Sequence, residues 1–150
     1  MRRPASLALA FAACLFLGCD LIIPGDGKDF GNSETYISRS GDKEIHFTLR
    51  EKDFAAAPSW DPSQPLPLPL SKVQEIGWAE LKKYRKDAEA WRMTELGLTR
   101  LHLGAGTRHL WIYRVAFDHP GTEDNIKIPI TFQGQPMPGV IKPLDQTRYR

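Results

Sequence analysis

Four histidines, a few carboxylates and two cysteines are the residues of this 150-residue chain that could do chemistry. His102 and His109 flank Gly104-Ala105-Gly106-Thr107, a loop with the glycines of a hairpin turn, so the two rings could face each other across it. Two imidazoles make a metal site only if a third ligand joins, and Glu95 or Asp118 is the carboxylate in reach. His119 follows Asp118 and precedes Glu123 and Asp124, a pattern more common in a charged turn than in an acid–base pair. His46 falls on the polar side of an alternating strand and is expected to be solvated. Gly104-Ala105-Gly106 precedes a strand, not a helix, and lacks the rest of a dinucleotide fingerprint. No Gly-x-Ser-x-Gly elbow is present. Both cysteines, Cys14 and Cys19, lie in the first nineteen residues, which leaves the rest of the chain without a thiol nucleophile.

Those nineteen residues read as a leader. Arg2 and Arg3 give a positive start, and Ala5 to Leu17 is a 13-residue apolar run. Such a run is short of the ~20 residues that span a bilayer and suits a signal peptide. It ends in Phe16-Leu17-Gly18-Cys19, which resembles the lipobox of bacterial lipoproteins. The resemblance implies cleavage before Cys19 and acylation of its thiol by palmitate-type chains, so that the lipid bilayer becomes a partner. It further implies an envelope location, with the domain facing the periplasm or the exterior. Acylation also removes a lone thiol that would be a liability in an oxidising compartment.

Charge narrows the partners. There are 20 Lys and Arg against 18 Asp and Glu; the leader holds two arginines and no acid, leaving 18 against 18. A neutral mature chain argues against nucleic-acid binding, where a basic excess supplies most of the affinity. No cofactor motif is found.

The remaining chain divides into a tether at residues 20–33 rich in Gly, Asp and Asn, a hairpin and proline-rich strap at 34–70, a helix-plus-sheet core at 71–142, and a tail at 143–150. In the hairpin, Ile45, Phe47 and Leu49 share one face and could cover the second side of a central strand. Pro65, Pro67 and Pro69 hold the strap extended, with Trp60 as its anchor. In the core, Ser71 and Gln74 form a capping box for a helix whose apolar stripe is Val73, Ile76, Leu81, Tyr84, Ala88 and Trp91. The small residue at Gly77 lets a strand approach closely. Three strands follow. The first, from Arg92, changes parity near Thr94–Glu95, which marks a bulge. The second, His109 to Asp118, is apolar on both sides: Trp111, Tyr113, Val115 and Phe117 on one, Leu110, Ile112 and Ala116 on the other. The third, Ile126 to Phe132, carries Pro129, which cannot donate to a ladder and so marks an edge or a bulge.

These elements predict an α+β fold, one amphipathic helix packed on a small antiparallel sheet of three to five strands. The order of helix and three strands ending in Thr131-Phe132-Gln133-Gly134, with His109-Leu110-Trp111-Ile112-Tyr113-Arg114-Val115 and Ile126-Lys127-Ile128-Pro129-Ile130, resembles the PepSY-like group of small bacterial envelope domains over about Leu70 to Ile141. That resemblance implies a non-catalytic domain that binds or inhibits an envelope protein. The group's acidic, small-residue ending is replaced by Pro136-Met137-Pro138, so no functional residue carries over. One helix cannot cover two apolar faces, which makes Leu110, Ile112 and the edge carrying Pro129 the expected partner-facing patch. The alternative is a small ligand-binding or metal-dependent enzyme domain with its site near the His102/His109 hairpin.

Overall fold

A computed structural model describes residues 33–57, 59–103 and 110–149. The leader and tether therefore lie outside the described residues, except Ser33. Six strands form one antiparallel sheet: β1 (Ser33–Ser40), β2 (Lys43–Arg50), β3 (Arg92–Leu101), β4 (Leu110–Asp118), β5 (Asn125–Thr131) and β6 (Gly139–Pro143). A single α-helix, α1 (Leu70–Tyr84), packs on β4 and β5. The class is α+β as expected, but three to five strands is an undercount. The spatial order is β3-β4-β5-β1-β2-β6. Joining the N-terminal hairpin to the core needs two pairings between residues far apart in the chain, Arg39 with Asn125 and the β2–β6 ladder. Local periodicity carries no signal for either.

The side of the sheet under α1 follows the predicted parity. Tyr113, Val115 and Phe117 of β4 lie opposite Ile130, Ile128 and Ile126 of β5, and all six are fully buried. Trp78 meets Phe117 edge-on at 4.6 Å between ring centres. Gly77 is where helix and sheet come closest: a Cβ there would lie 2.9 Å from Val115 Cγ1, so only glycine fits without displacement. The strap closes the end of this side. Trp60 packs edge-on against Trp111 and Phe132, and its Nε1 donates to the Pro65 carbonyl at 3.1 Å. The Tyr113 hydroxyl accepts from Leu68 N–H at 3.0 Å and donates to the Leu68 carbonyl at 3.2 Å.

The helix is shorter than its apolar stripe. Pro69 occupies the N-cap, where no side chain caps the helix, so Ser71 sits inside the first turn and the expected capping box is absent. At the other end Arg85 turns extended (φ −131, ψ 118), and Ala88 and Trp91 reach the core from a short 3₁₀ turn instead. The reason is the guanidinium: Nε and Nη2 bind the Asp87 carboxylate at 2.8 and 2.9 Å, Nη1 donates to Ser40 Oγ at 3.0 Å, and the group lies over Trp91. Three hydrogen bonds to two partners and a ring outweigh one more turn of helix.

The second side of the sheet is buried as well, at Leu110, Ile112 and Ala116. Ile45 and Phe47 do not cover it; both lie on the α1 side, Phe47 edge-on to Tyr84 at 5.8 Å. Two strands separate β1 from β3, which in a flat sheet would hold them about 14 Å apart. Yet the Glu34 carboxylate of β1 accepts a hydrogen bond from the His102 N–H, one residue past β3. The sheet must curl at that end to make this link. On the side opposite α1, Leu101, Leu110 and Ile112 are buried.

Pro129 is neither at a sheet edge nor in a bulge. β5 lies between β4 and β1, but β1 pairs with it only at Asn125. Beside Pro129 the returning chain takes β1's place, and Met137 N–H donates to the Pro129 carbonyl at 2.9 Å. That bond asks the proline for an acceptor only, which it has.

Candidate functional site

Each candidate from the sequence has a definite place, except those outside the described residues, Cys19 and His109. Leu110, Ile112 and Pro129 do not form an exposed patch: Leu110 is 4% and Ile112 0% exposed, and Pro129 is buried. The partner-facing surface expected there is absent, because all three residues are enclosed.

His102 is exposed just after β3, its backbone held by Glu34. Glu95, one carboxylate expected to complete a metal site, instead pairs with Arg114 on the adjacent strand. The other, Asp118, accepts from the Asn125 side-chain amide. Among the described residues no three His, Cys, Asp or Glu side chains are grouped to hold a metal ion.

The His119 loop acts as a fastening. Asp124 Oδ1 accepts from Gly41 N–H at 2.9 Å, capping the β1–β2 turn, while Glu123 pairs with Arg39 at 2.5 Å. His119 N–H donates to the Asp124 carbonyl at 3.1 Å. With Arg85 on Ser40, these bonds tie the end of α1, the β1–β2 turn and the β4–β5 loop into one polar corner. The Arg85 guanidinium hydrogen-bonded to Asp87 holds that carboxyl down at about 2. Burial, with the neighbouring Glu80 carboxylate, pushes the Tyr84 phenol up; its hydroxyl accepts from Gly139 N–H at 2.9 Å, which opposes part of that rise.

His46 is not solvated. Its Nε2 lies 2.6 Å from Glu44 Oε2, and Glu44 is only 1% exposed. Glu44 stands between Arg39 of β1 and Lys142 of β6 in the ladder. Alternation placed Glu44 and His46 on the polar side correctly, but polarity did not reveal that this side is enclosed.

An open groove of about 590 Å³ lies between the end of β2 and the β5–β6 connection. Thr48, Arg50, Asp53, Gln133 and Gln135 line it with polar groups, and Met137 and Val140 with apolar ones. Val140 is 58% exposed. Ser33 pairs with Arg50, so the chain from Cys19 enters the fold beside this groove. Sequence reading missed it because its walls come from two regions distant in the chain. The Gln133-Gly134-Gln135-Pro136 turn was the only local sign.

No helix among the described residues is long and apolar enough to cross a membrane. Comparison with protein-family models, with curated proteins and with solved structures finds no match for this chain.

Proposed function

We propose that this protein is a non-catalytic, lipid-anchored envelope protein whose domain binds an extended segment of another envelope protein. The observation that carries this reading is the groove beside the entry of the tether. It combines an apolar strip (Met137, Val140) with amides, a hydroxyl and one charge of each sign, the lining that a peptide backbone and its side chains require. The leader supports the anchor: Gly18 precedes Cys19, and a stretch rich in Gly, Asp and Asn follows at residues 20–33. Two or three acyl chains on Cys19 give stable attachment where one gives only marginal binding.

Mass spectrometry of the mature N-terminus tests the anchor, with a chain beginning at acylated Cys19 as the expected result. A different start, or a Cys19→Ala protein that stays in the membrane fraction, overturns it. Photo-crosslinking from position 140 in native envelopes tests the groove. The expected result is one discrete adduct that is lost when Met137 is replaced by Asp. Adducts no more abundant than from a probe at Glu75, exposed on α1, reject the groove.

A further inference from the structure

Among the described residues the six-stranded sheet does not close on itself, and its two edges are built differently. At one edge β6 is only five residues long and ends in Pro143, which has no N–H. Its first N–H, that of Gly139, is already donated to the Tyr84 hydroxyl at 2.9 Å. A short strand with Pro and an occupied donor is how natural sheets discourage further pairing. At the other edge β3 runs for ten residues, Arg-Met-Thr-Glu-Leu-Gly-Leu-Thr-Arg-Leu, without Pro or Lys. Only β4 pairs with it among the described residues. Leu96 and Leu98, on the α1 side, are packed against the core and half-buried. An open edge of this length, with apolar groups at its rim, is a template for another strand.

The β3 sequence fits itself. When two identical antiparallel strands pair around a two-fold axis perpendicular to the sheet, the axis must pass through one residue opposite its own copy. An axis between residues would put neighbours of opposite facing on one side. Centring on Leu96 sets Arg92 against Arg100 of the other copy, and like charges directly opposite are destabilising. Centring on Leu98 sets Leu96 against Arg100. Centring on Gly97 sets Leu96 against Leu98 twice, Glu95 against Thr99 twice, and no like charges opposite. The four leucines then continue the apolar row already formed by Leu96–Val115 and Leu98–Tyr113 across β3 and β4. The bulge between Met93 and Glu95 limits the regular pairing to one end of the strand, and residues 95–99 lie beyond it.

We propose that two copies of this chain pair antiparallel along β3 through a two-fold axis at Gly97, making one continuous twelve-stranded sheet from two six-stranded ones. The contact is isologous and therefore closes as a dimer rather than growing into a fibre. It uses neither Cys19 nor the groove, so it stands or falls independently of the function above.

The test is disulfide capture in the full-length protein expressed in its native envelope. Opposed residues of an antiparallel pair have Cα atoms about 4.5–5.5 Å apart, within disulfide range. A Cβ at Gly97 has room, its nearest neighbour being Glu95 Oε1 at 3.5 Å. Gly97→Cys should give a covalent dimer at least fivefold more abundant than Ile141→Cys, a more exposed probe on the β6 edge. The double variant Glu95→Cys/Thr99→Cys should cross-link likewise, and it decides the matter if Gly97→Cys fails to accumulate. Adding Leu98→Lys should abolish capture from both, with Ile141→Lys as the matched control. Equal capture from β3 and β6, no capture from either β3 variant, or an adduct to a different protein in place of the dimer overturns the proposal.

Discussion

Two regions of this molecule are held together by opposite means. Under α1, Gly77, Trp78 and Val73 meet Val115, Phe117 and the isoleucines of β5 with hardly a polar atom between them. At the far end of the helix, the corner around Arg85 is almost entirely hydrogen bonds and ion pairs: Arg85 to Asp87 and Ser40, Asp124 to Gly41, Arg39 to Glu123. The first region stabilises through area removed from water and tolerates no change of volume. The second contributes little net energy per bond, because each group exchanges water for a protein partner. What it contributes is position: it decides where α1 stops and which way the β1–β2 hairpin turns. Substitutions should therefore cost most in the first region and show mainly as altered titration in the second.

The largest effect is expected from Phe117→Ala. Phe117 is fully buried against Trp78, and truncating a core aromatic costs about 3–5 kcal/mol. Chemical denaturation should show a loss in that range; a loss below about 1 kcal/mol would contradict the packing assigned to β4. Gly77→Leu comes next. It forces a side chain into space where even a Cβ is 2.9 Å from Val115, and overpacking of this kind costs about 2–3 kcal/mol. A variant as stable as the parent would mean that helix and sheet separate easily. Tyr113→Phe removes only an oxygen, but leaves the Leu68 N–H and carbonyl without their partner, at a cost of about 1–2 kcal/mol. Its melting temperature should fall while the secondary structure stays intact.

The smallest effect belongs to the polar corner and is read by NMR titration. Asp87 should titrate near 2, and Arg85→Gln should raise it toward the ordinary aspartate value of about 3.9. A carboxyl whose folded pKa is depressed stabilises the fold above its unfolded pKa and loses that contribution as pH falls through the folded one. The Asp87 contribution is thus complete above about pH 4 and fades toward pH 2. An Asp87 midpoint unchanged in Arg85→Gln would show that the guanidinium is not its cause.

Much of the apolar region was legible in the sequence. The parity of Trp111 to Phe117 gave the buried face of β4, the break at Thr94–Glu95 gave the bulge, and Gly77 gave the close approach. Each of these is a local pattern, complete within one element. The errors share a different origin. Six strands in place of three to five, the enclosed Glu44–His46 pair, the burial of Leu110, Ile112 and Pro129, and the groove at Val140 all follow from pairings across most of the chain. The helix end was misread for a related reason, since Ala88 and Trp91 keep helical spacing after the backbone has left the helix. A reading that counts faces can detect that something must cover Leu110 and Ile112. It has no means of finding which part of the chain does so.

The order in which the strands are made has a consequence for biogenesis. β1 and β2 leave the ribosome first and form a local hairpin, yet both flanks of that hairpin belong to strands near the other terminus, β5 through Asn125 and β6 through Gly139. At 5–20 residues per second the chain between Arg39 and Asn125 takes on the order of ten seconds to synthesise. Throughout that interval the hairpin presents Ile45, Phe47 and Leu49 and two unsatisfied ladders to any neighbour. A chain in this condition should depend on a holdase until β6 at Gly139–Pro143 is free to pair with β2.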